Sequence, residues 1–273
     1  MTLPEVLAAV EAIARQAGAV VMEVYASAFA VQGKADASPV TEADVRAEAL
    51  IVPALLALLP GVPVVAEEAA SRGEVPAVAR RFWLVDPLDG TREFVARNGE
   101  FTVNIALIED GVPVLGVVYV PVSDRLFAGV CTTAFAGGPL DASAQEIGPG
   151  AWVVEAGCRR AIGCRAVPAA GITLACSRSH GDEAAMQAWL GTRHVAGRVA
   201  VGSSLKFGLI AAAQADLYPR LGRTMEWDTA AGHAVLRAAG GEVLCLDGTP
   251  LRYGKRGYEN PHFVAHGLCG ATP

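Results

Sequence analysis

The sequence lacks any uncharged apolar run long enough to cross a membrane. Its N-terminus lacks the basic region and long apolar stretch of a secretion signal, because Glu5, Glu11 and Arg15 interrupt it. It lacks a C-x-x-C pair: Cys131, Cys158, Cys164, Cys176, Cys245 and Cys269 are scattered, and the chain is too long for a disulfide-stapled mini-protein. Buried free thiols are therefore expected. Positive charge is also short, with a formal net charge of -6. That speaks against a nucleic-acid polymer as partner. It leaves room for a small phosphorylated ligand, because a bound divalent metal can reverse the sign of the local field. These absences make the cytoplasm the expected location, with no integral membrane segment.

What is present is a chain of 273 residues, 52% hydrophobic and 18% charged. That is enough for one large domain or two closely packed ones around a substantial core. Thr2 and Glu5 fit a capping box, and Val6, Val10, Ile13, Ala17, Val20 and Val24 then recur at helical spacing. A second helix is expected from Thr41 to the Pro60-Gly61 stop, with Val45, Leu50, Ile51, Leu55 and Leu58 as its buried stripe. Val62 to Ala66 and Phe82 to Val85 read as strands, each ending in carboxylates. Phe101 to Ile108 and Val112 to Val120 form a hairpin around Asp110-Gly111, with Arg125 to Val130 as a third antiparallel strand. Thr132 to Ala151, rich in Gly, Pro, Ser and Ala, reads as a loop or an irregular hairpin.

A second subdomain is expected to open with a strand at Ile172 to Cys176. Helices at Glu183 to Leu190 and Ser204 to Ala213 and a strand at Ala215 to Pro219 follow. A helix at Thr229 to Ala239, stopped by Gly240-Gly241, and a strand at Glu242 to Leu246 complete the reading. Mixed helices and strands throughout indicate α+β layers. The division is placed at 1–165, an N-terminal metal-binding subdomain, and 166–273, a C-terminal substrate-specificity subdomain.

The most informative segment is Trp83-Leu84-Val85-Asp86-Pro87-Leu88-Asp89-Gly90-Thr91. A buried strand there delivers two carboxylates at a sharp turn. Pro87 fixes φ between them and Gly90 relaxes the chain after them. Two such acids aimed at one point repel, and a hard divalent cation removes the conflict. Glu67 and Asp228 are the candidates for the remaining ligands. Each has a plain structural reading when taken alone: Glu67-Glu68 as solvated surface, Asp228 as the N-cap of its helix, Asp86 and Asp89 as an Asx-type turn. Asp44 pairs with Thr41 like a capping box, and Thr91 can cap the helix after Gly90. The specificity lies in the combination.

That combination, Asp44…Glu67-Glu68…Asp86-Pro87-Leu88-Asp89-Gly90-Thr91…Trp227-Asp228, resembles the signature of the lithium-sensitive, Mg2+-dependent inositol-monophosphatase-like phosphatases. Within that superfamily the chain most resembles the CysQ-type 3'(2'),5'-bisphosphate nucleotidases. The closer features are DPLDGTREF from Asp86, NGEFTVNIA from Asn98, Ser177-Arg178-Ser179-His180, VGSSLKF from Val201, Leu217-Tyr218-Pro219-Arg220 and MEWDTAAGH from Met225. The resemblance implies a layered αβαβα sandwich of two subdomains in one compact unit. It implies Mg2+, as two or three ions: Glu67, Asp86 and the Leu88 carbonyl hold one, Asp86, Asp89 and Asp228 a second, and a weaker third sits near Glu67. It implies that Asp44 and Thr91 orient and deprotonate the attacking water, and that the N–H groups of Gly90 and Thr91 bind the transferring phosphate.

The substrate expected from the resemblance is a small bisphosphorylated nucleotide, adenosine 3',5'-bisphosphate, with 3'-phosphoadenylyl sulfate as a second, in sulfur assimilation. Ser203, Lys206 and Arg220 would hold the uncleaved phosphate, with His180 near the sugar or base. Taken as isolated residues, Lys206 reads as a snorkelling helix residue and Arg220 as a surface partner of Glu226. His233, inside a helix, reads as a core histidine. An inositol or sugar monophosphatase of the same fold is the alternative enzyme, and a non-catalytic nucleotide-binding sensor the alternative of another class. Monomer and homodimer both stay open. Some resembling proteins associate with the inner face of the cytoplasmic membrane, but no basic amphipathic stretch here requires it.

Overall fold

A computed structural model describes residues 3–28, 31–33, 39–131, 150–178 and 183–268. Thr2, half of the capping box expected at the start, lies outside the described residues. The 3.6-residue apolar repeat of the N-terminal segment produces helix α1 (Leu3–Tyr25), which buries Val6, Val10, Ile13, Ala17 and Val24. After a short antiparallel pair, β1 (Val31–Gly33) and β2 (Pro39–Thr41), comes α2 (Glu42–Leu58). Its buried stripe keeps Ile51 and Leu55, with Leu50 and Leu58 partly buried against the core, and departs from the expected one at Val45. Val45 is 49% exposed, whereas Asp44 and Glu48 are buried beside Ala47, Ile51 and Leu55. The helix turns two acids inward because its N-terminal half feeds the site.

The next elements are β3 (Val64–Ala66), α3 (Glu67–Ser71), β4 (Arg81–Asp89), α4 (Thr91–Val95), β5 (Thr102–Glu109), β6 (Val112–Val120) and β7 (Arg125–Val130). Asp110-Gly111 makes the expected hairpin turn, both residues at positive φ, 52° and 73°, with Glu109 opposite Val112. Two strands extend the sheet where none was expected, β8 (Gly150–Glu155) and β9 (Cys158–Ile162). Of the two readings of Thr132 to Ala151, the plain loop is corrected at its end: Gly150 and Ala151 pair antiparallel with Val130 and Gly129, as in a hairpin. Residues 132–149 lie outside the described residues.

The seven strands run in the order β3-β4-β5-β6-β7-β8-β9, antiparallel except for β3 with β4. The chain continues through β10 (Ile172–Ser177), α5 (Glu183–Leu190), β11 (Val195–Val201), α6 (Leu205–Ala211), β12 (Leu217–Arg220), α7 (Glu226–Ala238), β13 (Glu242–Cys245) and β14 (Phe263–His266). The second sheet has the order β11-β10-β12-β14-β13. Sequence reading missed β11 and β14. β14 has only four residues, too few for periodicity to stand out, and Gly197 and Arg198 interrupt the apolar run of β11.

Helices α1 and α2 cover one face of the large sheet, and α6 and α7 cover the other. The second sheet packs on the far side of α6 and α7, and α5 closes it through Leu190, Leu174 and Val264. This is the αβαβα sandwich. Contact between α7 and β6 is close. A Cβ on Gly116 would sit 2.4 Å from the Ala231 carbonyl oxygen, so only glycine lets the helix lie this near the strand. One apolar cluster runs from Val65 and Phe82 through Phe207 and Val235 to Phe263, so both halves of the chain share a core. No helix among the described residues is long and apolar enough to cross a membrane. Cys131, Cys164, Cys176 and Cys245 are partly buried free thiols, but Cys158 is exposed, on β9, against the expectation. Cys269 lies outside the described residues.

Candidate active site and metal centre

Strand β4 ends in a register shift against β5. Asp86 faces Asn104 and Asp89 faces Thr102, with the irregularity between them. In a regular strand, residues three apart point to opposite faces. The bulge at Pro87-Leu88 resets that parity and lets both carboxylates reach one cleft. Asp86 Oδ1 accepts the Leu88 N–H at 3.0 Å, an Asx-type contact that tightens the turn. Gly90 follows at φ 90°, the left-handed region, and hands the chain to α4.

Glu67 opens α3 just beyond β3, and Asp228 sits in the first turn of α7. Asp228 is not the N-cap that the sequence suggested. Met225 is, and the Asp228 carboxylate reaches back to accept the Met225 N–H at 2.8 Å. Carboxylate oxygens of Glu67, Asp86 and Asp228 all lie within 4.8 Å of one another. Asp89 lines the same cleft, but its Oδ2 accepts from the Ser204 N–H at 2.6 Å and from Asn104 Nδ2 at 3.2 Å. Burial, reinforced by Glu67, Asp89 and Asp228, holds Asp86 well above the usual carboxylate range. Burial, with Asp89 and Glu67, does the same to Asp228. Asp89 is raised too, by burial, with the Lys206 charge opposing.

Acids forced together out of water, with an all-oxygen donor set, fit a hard divalent cation. Leu88 lines the same cleft, and its carbonyl oxygen, 3.3 Å from Thr91 Oγ1, has a lone pair left for a cation.

Asp44 and Thr91 meet as expected. Thr91 Oγ1 donates to Asp44 Oδ1 at 3.3 Å, while Asp44 Oδ2 accepts the Thr41 N–H and hydroxyl, each at 2.8 Å. Several functional residues escaped the sequence reading. Glu48 accepts the Glu68 and Ala69 N–H groups at 2.8 and 2.9 Å, and so anchors the turn that presents Glu67. Its spacing of four from Asp44 was the available signal. Asn104, fully buried in β5, donates to both Asp89 and Ser204 Oγ. A lone amide inside an apolar strand was its signal. Ser204 Oγ in turn donates to the Asp228 carbonyl.

Ser203, Lys206 and Arg220 line this same cleft, of about 690 Å³. Lys206 does not snorkel. It is 3% exposed, with Nζ donating to the Ser203 carbonyl at 2.6 Å and lying 5.1 Å above the Tyr218 ring. Burial pushes its pKa down to about 8. Arg220 does not pair with Glu226, which instead takes the Lys255 ammonium and the Gly254 and Lys255 N–H groups. Arg220 Nη2 donates to the Arg223 carbonyl at 3.1 Å, and its Nε is buried with no hydrogen-bond partner. His180 lies outside the described residues. His233 is a core residue: its Nδ1 meets the Tyr253 hydroxyl at 2.9 Å, and burial pushes its pKa down to about 3.

A model of the inositol monophosphatase family matches residues 2–271. The chain belongs to that family. Members of the family are Mg2+-dependent enzymes. The chain is 46% identical to a 3'(2'),5'-bisphosphate nucleotidase CysQ of Escherichia coli, over 92% of this chain and 95% of the relative. Among solved structures it resembles CysQ from Bacteroides thetaiotaomicron, a bacterial member of the inositol monophosphatase family. The TM-score there is 0.75 and the identity 35%, over 97% of each chain. It also resembles an inositol monophosphatase from Anabaena, with a TM-score of 0.71 and 26% identity, over 97% of this chain and 91% of the other.

The carboxylate cluster predicts how stability responds to metal and pH. Asp86 and Asp228 have folded pKa values raised above the unfolded ones, so the metal-free fold binds the extra protons and loses stability as pH rises through that window. Mg2+ opposes that loss. At about 100 times its Kd a ligand adds about 2.7 kcal/mol. The difference in Tm between Mg2+ and EDTA should therefore reach about 5 °C or more at pH 8 and shrink toward pH 5. Taking the difference cancels the opposite contribution of His233, whose lowered pKa costs stability as pH falls below 6.5. A Tm difference independent of pH would contradict the carboxylate site.

Proposed function

We infer that this chain is a Mg2+-dependent 3'(2'),5'-bisphosphate nucleotidase that hydrolyses adenosine 3',5'-bisphosphate to AMP and phosphate. One observation carries the reading: a single cleft is lined both by Glu67, Asp86, Asp89 and Asp228 and by Ser203, Lys206 and Arg220. The acids suit a metal-assisted phosphoryl transfer. Buried Lys206 and half-buried Arg220 suit a second phosphate that stays on the product. The relative of 46% identity bears the same activity in its name. The same chemistry accommodates 3'-phosphoadenylyl sulfate, and the reaction belongs to sulfur assimilation.

In the proposed site, Glu67, Asp86, Asp89, Asp228 and the Leu88 carbonyl would hold two or three Mg2+ ions. Bound Mg2+ supplies charge stabilisation for the transferring phosphoryl group and for the attacking and leaving oxygens. The protein's own groups do the rest. Thr91 Oγ1 takes a proton from the attacking water as its own passes to Asp44 Oδ1, along the contact already formed at 3.3 Å. The Gly90 and Thr91 N–H groups hold the transferring phosphate. Ser203, Lys206 and Arg220 would hold the other. Residues 1–165 would thus form the metal-binding subdomain, into which Asp228 reaches, and 166–273 the substrate-reading one.

Phosphate release across a panel tests the function. Adenosine 3',5'-bisphosphate should be hydrolysed fastest, and only with Mg2+. Inositol 1-phosphate turned over far above it would make the chain an inositol monophosphatase, and no Mg2+-dependent release at all would leave a nucleotide-binding sensor. Asp44→Asn should cost about 10²–10⁴-fold in kcat, the usual worth of a positioned base. The fold should survive it with about 1 kcal/mol lost from the α2 cap. Unchanged kcat in the folded, Mg2+-loaded variant would remove Asp44 from the mechanism.

A further inference from the structure

Two motif residues, Glu100 and Arg178, have no role in the chemistry above, yet they join its two halves. Glu100 lies between α4 and β5, on the metal-turn side. Arg178 follows β10, on the substrate side. Arg178 Nε and Nη2 each donate to a Glu100 carboxylate oxygen at 2.7 Å, a bidentate pair. The same carboxylate accepts the Gly202 N–H at 2.8 Å, and Arg178 Nη2 also donates to the Ala200 carbonyl at 2.7 Å. The Arg178 backbone N–H donates to Val201 at 3.2 Å. Of the three positions before Ser203, Ala200 is therefore tied to the guanidinium, Val201 to the Arg178 backbone and Gly202 to the carboxylate. The Arg178 hydrogen bonds, helped by the Gly202 N–H and the guanidinium charge, hold the Glu100 carboxyl below its usual range.

The tie is tight on both sides. A Cβ on Gly202 would sit 2.6 Å from Glu93 Cγ and 2.7 Å from the Glu100 carbonyl oxygen, and one on Gly90 would sit 3.2 Å from Ser203 Cβ. The metal turn and the Ser203–Lys206 turn are thus in contact across the cleft, and Ser203 itself is held at φ 47°. Thr102, two residues after Glu100, adds a hydroxyl contact to Ser203 Oγ at 3.1 Å.

We propose that Glu100 and Arg178 form a positioning pair that fixes the span between the carboxylate cluster and the Ser203–Lys206 turn, and so selects substrates carrying a second phosphate. The inference rests on the nucleotidase reading and says which residues set its selectivity. A monophosphate ester uses only the metal end of the cleft and is indifferent to that span. A bisphosphate must engage both ends at once, so a loosened span is read as weaker binding with the chemistry intact.

The test is steady-state kinetics of the Mg2+-loaded enzyme on adenosine 3',5'-bisphosphate and on p-nitrophenyl phosphate, with AMP as competitive inhibitor. Glu100→Gln keeps the side-chain size and an acceptor for Gly202 but removes the ion pair. Arg178→Lys keeps the charge but loses the bidentate fork. For both variants the bisphosphate KM and the AMP Ki should rise together by about tenfold, with kcat and monophosphate turnover within about threefold of wild type. The double variant should lose little more than either single one. Equal losses on both substrates, or no change on either, would overturn the pair as a selector. A loss in Arg178→Lys without one in Glu100→Gln would also overturn it, placing Arg178 on the substrate directly. A wild-type chain with no preference for the bisphosphate is a separate outcome: it removes the nucleotidase reading and this inference with it.

Discussion

Asp86→Asn is expected to lower turnover by about 10³-fold or more, in line with loss of a group that stabilises transition-state charge. It should at the same time raise the thermal stability of the metal-free protein. Both effects have one cause. Asp86 is 1% exposed, and its carboxylate shares a buried space with Glu67, Asp89 and Asp228. Without a cation the negative charge there is uncompensated, and asparagine removes it while keeping an acceptor for the Leu88 N–H at 3.0 Å. With a cation, the same charge is what holds it. The measurements are phosphate release under saturating Mg2+ and Tm in EDTA and in Mg2+. The variant should have the higher Tm in EDTA and the smaller response to Mg2+. Each kcal/mol recovered corresponds to about 2–4 °C for a chain near this size. A variant that keeps wild-type turnover, or that melts earlier in EDTA, would mean that the acids do not confront one another and that the metal centre is misplaced.

Lys206→Met is expected to cost about 10–10²-fold in kcat/KM for the bisphosphate, the worth of one charge-assisted hydrogen bond. A simple monophosphate ester should lose only a few-fold. Methionine fills the volume beside Tyr218, so packing is largely kept. What goes is an ammonium already anchored by the Ser203 and Val201 carbonyls at 2.6 and 3.3 Å. That anchoring leaves its charge in the cleft with little freedom left to lose on binding. A pH profile adds a second signature. The Lys206 charge is present below its pKa of about 8 and lost above it. Wild-type kcat/KM for the bisphosphate should therefore fall as pH rises through about 8, relative to the monophosphate, and Lys206→Met should abolish that difference. Equal losses on the two substrates would show that Lys206 supports the fold of the turn and does not read the second phosphate.

Much of the site was legible because its residues are anomalous where they stand. Asp86 and Asp89 interrupt the end of an apolar strand around a proline, and hydrophobic patterning does not explain them. Asp44 and Thr41 were legible as a cap, and the structure keeps that cap while also bringing Asp44 to Thr91. Asp228 was found as a candidate ligand with its helix position off by one turn's geometry, because Met225 gives no capping signal in sequence. Glu48 and Asn104 were passed over for a different reason. An acid in an alanine-rich helix reads as solvated surface, and an amide in a strand reads as a tolerated exception, until their partners from distant segments are in place.

The amino-acid sequence alone determined the chemistry available to this protein: the carboxylates, their placement at element ends, the cations of the second half, and the alternation of helices and strands that makes a layered fold. Local rules suffice for these, since capping, turn geometry and apolar periodicity act within a few residues. Only the tertiary structure decided that Glu67, Asp86 and Asp228 converge within 4.8 Å, that Lys206 is buried, and that Glu100 and Arg178 bind the two halves together. Those facts depend on contacts between distant segments, with Asp228 161 positions from Glu67 and Arg178 78 from Glu100, and such contacts are set by how whole sheets and helices pack. No local pattern encodes that packing.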